Sequence, residues 1–143
     1  MATWDTRQGM NISSASVPPD TDEFPLSGLT QTASNYVKPP RVKESPAAFE
    51  CRHWKTVPLP DVESGTEKGH FVVIGHVGGI YIDDQFINEG IVNTGAMRPI
   101  ARMGYMEYAV VNPESVFTLN RPEMNPDGTV ANAQPERWDG TYS

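Results

Sequence analysis

Apolar and polar positions alternate most plainly between Ala47 and Val57. Phe49, Cys51 and His53 fall on one side and Glu50, Arg52 and Trp54 on the other. A period of two predicts a strand with the sulfur of Cys51 on an inward face, as a buried and inert thiol. Pro58 and Pro60 are expected to end it, with a hairpin-type loop over Asp61–Gly69. The next stretch, His70–Ile82, is the most strand-like in the chain: Phe71-Val72-Val73-Ile74 and Ile80-Tyr81-Ile82 are β-branched or aromatic. Gly78-Gly79 between them predicts a bulge or a close backbone approach. Val116–Leu119 is a last candidate strand, after the short apolar run Tyr108–Val111.

Helical signals are short. Asp5 is placed to cap a helix running to Ser13, and Val17-Pro18-Pro19-Asp20 would break it. Thr21-Asp22-Glu23-Phe24 reads as a second helix start that Gly28 can close. Thr94 could open a helical turn limited by Pro99, giving a short helix near Thr94–Ile100. From Thr30 to Ser45 the chain is polar, broken by Pro39-Pro40, and reads as a connector. The fold class expected is mainly β and antiparallel, with short helices.

Composition sharpens this picture. The 143 residues fit one domain, and 13 Pro with 12 Gly suit loops and short strands. Only 38% of residues are hydrophobic, so part of the chain is expected to lie outside a core. That part is assigned to 123–143, a tail rich in Asn, Pro, Asp and Gly, beyond a domain over 1–122. A net charge of −7 argues against a nucleic-acid surface, which must be cationic to release counterions. The start carries no apolar run behind a basic residue, and no stretch nears the ~20 apolar residues of a membrane span. The expectation is a cytoplasmic protein with no membrane or nucleic-acid partner.

Candidate chemistry is sparse. The single Cys51 permits neither an intrachain disulfide nor a Cys-based zinc site within one chain. His70 and His76, six residues apart on a strand, would lie about 20 Å from each other at ~3.3 Å per residue, too far for one metal. Surface or edge positions are expected for them and for His53, and a metal-dependent hydrolase is set aside. Gly75, Gly78 and Gly79 sit inside a strand pattern, where no phosphate-binding fingerprint belongs. Arg98 and Arg102 flank Pro99-Ile100-Ala101, with Tyr105 and Tyr108 beyond them. Arginines four apart on a helical turn can converge on one anion, and the tyrosines can offer rings and hydroxyls to a flat ligand. Surface pairing with Glu107, Asp83 or Asp84 accounts for the same residues equally well.

These segments, taken in order, carry a resemblance. Met10-Asn11, Asp22-Glu23-Phe24, Gly28-Leu29, Pro39-Pro40-Arg41-Val42, Glu44-Ser45-Pro46, Glu50-Cys51, His70 to Gly75, Ile82-Asp83-Asp84 and Arg98 to Tyr108 resemble the C-terminal part of a flavin reductase-like, FMN-binding split β-barrel domain. The likeness runs from Ala2 to Pro122. It implies part of a split barrel, a homodimer with FMN near its interface, and flavin-linked electron transfer from NADH or NADPH as substrate. It places Arg98, Arg102, Tyr105 and Tyr108 at the flavin or nicotinamide side of the pocket. It assigns no catalytic residue and no metal.

The family pattern also places an Arg-Pro strand, an Asn-x-Ala-Pro-x-Ser segment and a Ser/Thr loop ahead of this region, with most of the FMN contacts, and these segments do not occur here. His76 stands where members often have Glu. The 143-residue chain is therefore expected to hold FMN weakly by itself. The alternative reading is a non-catalytic remnant, or a subunit that docks on a complete relative.

Overall fold

The computed structural model describes residues 1–60, 65, 67–119 and 121–131. Helix α1 (Arg7–Ile12) begins after a cap at Thr6, not Asp5, and the Thr6 side chain turns back to Thr3 instead of the helix. Helix α2 (Glu23–Ser27) is built as its sequence predicts. The Asp22 side chain accepts from the Phe24 amide at 3.0 Å, and Gly28 closes the helix at φ 68°.

Two short strands, β1 (Gln31–Thr32) and β2 (Arg41–Val42), pair across the expected connector. The long hairpin β3 (Ala47–Pro60) with β4 (Glu67–Ile82) dominates the molecule. Glu50 pairs with Gly79 and Cys51 with Val77, so Gly78 is the extra residue of a bulge, as the double glycine predicts. A second irregularity lies between His53 and Lys55, at Trp54. Most of the expected loop over 61–69 lies outside the described residues.

Beyond β4, a 3-10 turn (Asp84–Phe86) leads into β5 (Ile87–Asn88) and β6 (Ile91–Val92). Helix α3 (Thr94–Met97) is capped by the Asn93 side chain, which accepts from Ala96 N–H at 3.1 Å. Strands β7 (Ile100–Gly104) and β8 (Glu107–Val110) form the last ladder. Among the described residues, all four ladders are two-stranded and antiparallel.

Four expectations are corrected. Strand β3 runs through Pro58 to Pro60; among the described residues it pairs only with β4, so its other edge asks nothing of a proline N–H. Val116–Leu119 forms no ladder among the described residues: it leaves the 3-10 turn Pro113–Ser115 with no described strand alongside, and Phe117 and Leu119 are exposed. Helix α3 stops at Met97, because Arg98 takes a left-handed conformation (φ 52°), and the chain turns into strand β7. Cys51 is exposed, because no second sheet among the described residues covers its face of the β3–β4 ladder.

Among the described residues, Met97 is the buried large apolar side chain, while Phe49, Trp54, Phe71, Val73 and Ile80 of the long hairpin are exposed. The alternation that predicts β3 and β4 is real, but the partner layer that would turn it into a core is not among these residues. In the expected tail, residues 123–131 close a local turn. Met124 bridges to Val130, and the Asp127 carboxylate accepts from Thr129 N–H at 2.9 Å. Residues 132–143 lie outside the described residues.

Candidate functional site

The chain's first residues bring two distant segments together. Trp4 N–H donates to the Arg98 carbonyl at 2.9 Å, Ile100 N–H donates to the Ala2 carbonyl at 3.1 Å, and Thr3 bridges to Pro99. This short antiparallel seam lays α1 beside the β7–β8 hairpin. Thr3 and Thr6, both buried, lock the turn into α1 through paired hydroxyls 3.2 Å apart. Gly9 sits against Leu29, so α1 approaches the chain beyond α2 closely.

A cleft of about 260 Å³ opens between these elements. Its helix side is Trp4, Arg7, Gln8, Met10 and Asn11; the hairpin side includes Ile100, Tyr108 and Val110. Ile100 pairs with Val110 and Arg102 with Tyr108, so these four share one face of the hairpin. The Arg102 guanidinium lies 5.1 Å from the Tyr108 ring centre, donates to the Tyr108 hydroxyl at 2.8 Å, and also donates to the Tyr105 carbonyl. The turn that allows this uses Gly104 (φ 118°) and Tyr105 (φ 46°), which leaves the Tyr105 side chain 93% exposed.

The structure thus joins Arg102 to the Tyr108 side chain and to the Tyr105 backbone carbonyl, leaves the Tyr105 ring exposed, and sets Arg98 apart. Arg98 belongs with Trp4, its guanidinium 5.5 Å from the indole centre, and it pairs with Asp5 at 3.9 Å. Both members of that pair are exposed, so it contributes little. The helical turn that would have aimed Arg98 and Arg102 together does not exist, and among the described residues neither arginine pairs with Glu107, Asp83 or Asp84. Asp83 instead accepts from the Gln85 amide at 3.1 Å as the cap of a 3-10 turn.

Sequence reasoning missed the helix side of the cleft. Trp4, Arg7, Gln8 and Asn11 are spaced i, i+3, i+4 and i+7, one face of a helix, and that period was the available signal. The Arg7 guanidinium stacks 3.7 Å from the Trp4 ring centre and donates to the Trp4 carbonyl.

A second ordered feature lies on the bulged end of β3. The buried Glu50 carboxylate accepts from Asn35 N–H at 2.9 Å and from Tyr36 N–H at 2.5 Å. The Tyr36 ring lies over Gly79, where no Cβ could fit. Nearby, the Arg41 guanidinium covers the Tyr81 ring at 3.5 Å, with one buried Nη1 left unpartnered. The Tyr36 amide first, then that of Asn35, holds the Glu50 carboxyl below the usual carboxylate range.

The profile of the flavin reductase like domain matches residues 1–101. The chain belongs to the flavin reductase-like family, whose fold is the FMN-binding split β-barrel. An uncharacterised protein of Aquifex aeolicus is 34% identical over 109 residues, 76% of this chain and 52% of its own length. Another, BH2278 of Halalkalibacterium halodurans, is 30% identical over 118 residues, 82% of this chain and 54% of that protein. The chain spans about half the length of the curated relatives it matches.

Solved structures agree on the fold. Nitrilotriacetate monooxygenase component B from Bacillus cereus superposes with a TM-score of 0.70 at 24% identity, covering 78% of this chain and 55% of that one. The 2-nitrobenzoate 2-nitroreductase NbaA of Pseudomonas fluorescens gives 0.69 at 21% identity, covering 88% and 59%. A split barrel domain protein from Shewanella frigidimarina gives 0.64 at 26% identity, covering 84% and 56%.

Proposed function

We infer that the chain serves flavin-linked electron transfer from a nicotinamide cofactor, binding FMN through the cluster at the β7–β8 turn. The observation that carries this reading is the Arg102–Tyr108–Tyr105 arrangement in a chain of this family. A guanidinium fixed by a phenol keeps further donors for an anionic oxygen, and an exposed tyrosine ring offers a face to a flat heterocycle. Arg98 stands at the Trp4 edge of the same region and would take a second anionic group. When bound, the flavin supplies the hydride chemistry; these residues bind and orient it.

The fit is partial. The cleft of about 260 Å³ beside the cluster, lined by Tyr108 but not by Arg102 or Tyr105, is below the ~300–1,000 Å³ usual for pockets that enclose a drug-sized ligand, so the cluster can grip one edge of FMN and not surround it. FMN titrated into the 143-residue chain is expected to quench its fluorescence with weak affinity and to be lost on gel filtration. Arg102→Ala should weaken that binding about tenfold, the loss of one charge-assisted contact. An affinity equal to wild type would remove Arg102 from the site.

A second reading has its own support. The exposed apolar side chains of β3 and β4 suit a subunit that docks on another protein, or on a second copy as a homodimer. Light scattering of the purified chain is expected to give at least twice the monomer mass, and a stable monomer would count against the homodimer.

A further inference from the structure

We propose that the cleft between the 35–39 loop and strand β3 is a binding site for a phosphate monoester carried with a flat ring, that is, a nucleoside monophosphate, apart from the residues at the β7–β8 turn. The cleft holds about 600 Å³ and meets three consecutive strand residues, Cys51, Arg52 and His53. Neighbouring strand residues point to opposite faces, so a groove that touches all three runs along the edge of the strand. Among the described residues, the edge of β3 away from β4 pairs with no strand, and over residues 51–53 it bonds to no loop backbone. Its outward N–H groups are therefore available to an acceptor.

Charge selects an anion. Lys38 stands on the loop wall and Arg52 with His53 on the strand wall, and no Asp or Glu lines the cleft. Among the described residues the arginine ion pair is that of Arg98 with Asp5, so neither Lys38 nor Arg52 is neutralised by a carboxylate. The adjacent acid, Glu50, is turned to the amides of Asn35 and Tyr36 instead. On a chain of net charge −7 the overall field repels anions, so a cleft that gathers basic groups and no acid stands out locally. A phosphate monoester brings close to two negative charges and three acceptor oxygens, which donors on two walls can share. His53 adds a donor: with Nε2 bonded to the Thr56 hydroxyl at 2.9 Å, Nδ1 is left to carry a proton.

The loop wall is fixed and presents a ring. Asn35 N–H at 2.9 Å and Tyr36 N–H at 2.5 Å fasten it to the Glu50 carboxylate, and one side of the Tyr36 ring lies on Gly79. The Tyr36 side chain is still 59% exposed, so its other face is open to stacking by a flat heterocycle. At about 600 Å³ the cleft falls within the ~300–1,000 Å³ of small-molecule sites, with room for a base, a sugar and a phosphate.

The site does not depend on the flavin reading and is tested first without flavin. The probe is 5′-AMP, titrated into the full 143-residue chain by calorimetry, with adenosine as the control lacking phosphate and ribose 5-phosphate as the control lacking the ring. 5′-AMP is expected to bind saturably with a Kd below about 1 mM, and each control about tenfold or more weaker. In the unaltered protein, NMR should show the backbone N–H of Tyr36 and Lys38 and the Nε–H of Arg52 shifting along one saturation curve. Lys38→Gln and Arg52→Gln, both at exposed positions, should each lower the affinity about tenfold with unchanged circular dichroism. Two sources carry this chemistry, a free mononucleotide and the 2′-phosphate of NADP. NADP⁺ binding as tightly as 5′-AMP assigns the dinucleotide, and 5′-AMP binding alone assigns the free mononucleotide; either outcome supports the site. No saturation, or binding of adenosine or of NAD⁺ equal to that of 5′-AMP, overturns the proposal. So do shifts confined to residues outside the loop and β3, or a stronger response of the same amides to FMN, which would give the cleft to the flavin. These readouts stand even if the variants fail to fold.

Discussion

Replacing Gly95 by alanine is expected to destabilise the fold by about 1–3 kcal/mol, the range for forcing a methyl group into a filled site. Gly95 is buried in α3, and a Cβ there would lie 2.9 Å from Pro113 Cα and 3.2 Å from Pro113 N. Those are backbone atoms of a residue whose ring fixes φ, at the start of a 3-10 turn, so they have little freedom to retreat. The Val116 methyl at 3.2 Å closes a third side. Gly78→Ala is the control. A Cβ at the bulge meets only the Glu50 carbonyl, at 3.7 Å, an ordinary contact. It should be neutral or slightly stabilising, because alanine narrows the unfolded ensemble. Thermal melts of the two variants beside wild type decide the matter. Equal midpoints for all three would mean that α3 does not pack on the 113–115 turn as described, and the position of Arg98 just beyond α3 would lose its explanation.

The second large effect is expected at Glu50. Glu50→Gln keeps the shape but exchanges a charged acceptor for a neutral amide whose NH₂ cannot accept, and Glu50→Ala removes every acceptor from the amides of Asn35 and Tyr36. Amide exchange at those two residues should accelerate sharply in the alanine variant and less in the glutamine variant, while the β3–β4 ladder keeps its protection. Acid should reproduce the effect. The Glu50 carboxyl is depressed in the folded state, so its stabilisation is complete above a free carboxylate's value of ~4.3 and is lost as pH falls through the lower, folded value. The charges bearing on it are few. The backbone amides of the 35–37 loop and, more weakly, Arg41 favour the ionised form, while burial opposes it. Unchanged protection factors at Asn35 and Tyr36 on acidification below that range, with the intrinsic exchange rate at each pH divided out, would show that the carboxylate does not hold the loop.

Legibility in the sequence tracks the range of the forces involved. The strands β3 and β4 and the bulge at Gly78 declared themselves through period and backbone chemistry, both local. The cap at Asp22 and the left-handed Gly28 did so too, since the sequence carries donor, acceptor and φ preference within six residues. The β7–β8 hairpin was hidden because its turn uses Tyr105 at positive φ, a conformation no rule assigns to tyrosine, and because Pro99 suggested the end of a helix. Burial was misread at Cys51 for a different reason: alternation says which face a side chain is on, and only a second layer says whether that face is covered. At the site, the cluster of Arg102, Tyr105 and Tyr108 was within reach of sequence reading, whereas Trp4 and Arg7 join it through a seam between residues nearly a hundred positions apart.

The length of the β3–β4 hairpin has a consequence for handling the protein. Fourteen residues of strand at ~3.3 Å each reach about 45 Å, whereas a compact globule of 143 residues, with a radius of gyration near ~14 Å, is about 37 Å across. Friction in solution depends on the longest dimension as well as the mass. A single chain bearing this hairpin is therefore expected to sediment somewhat slowly for its weight and to leave a sizing column early, where a rounder molecule of greater mass would elute. Column position alone reports the arm, and mass must come from scattering.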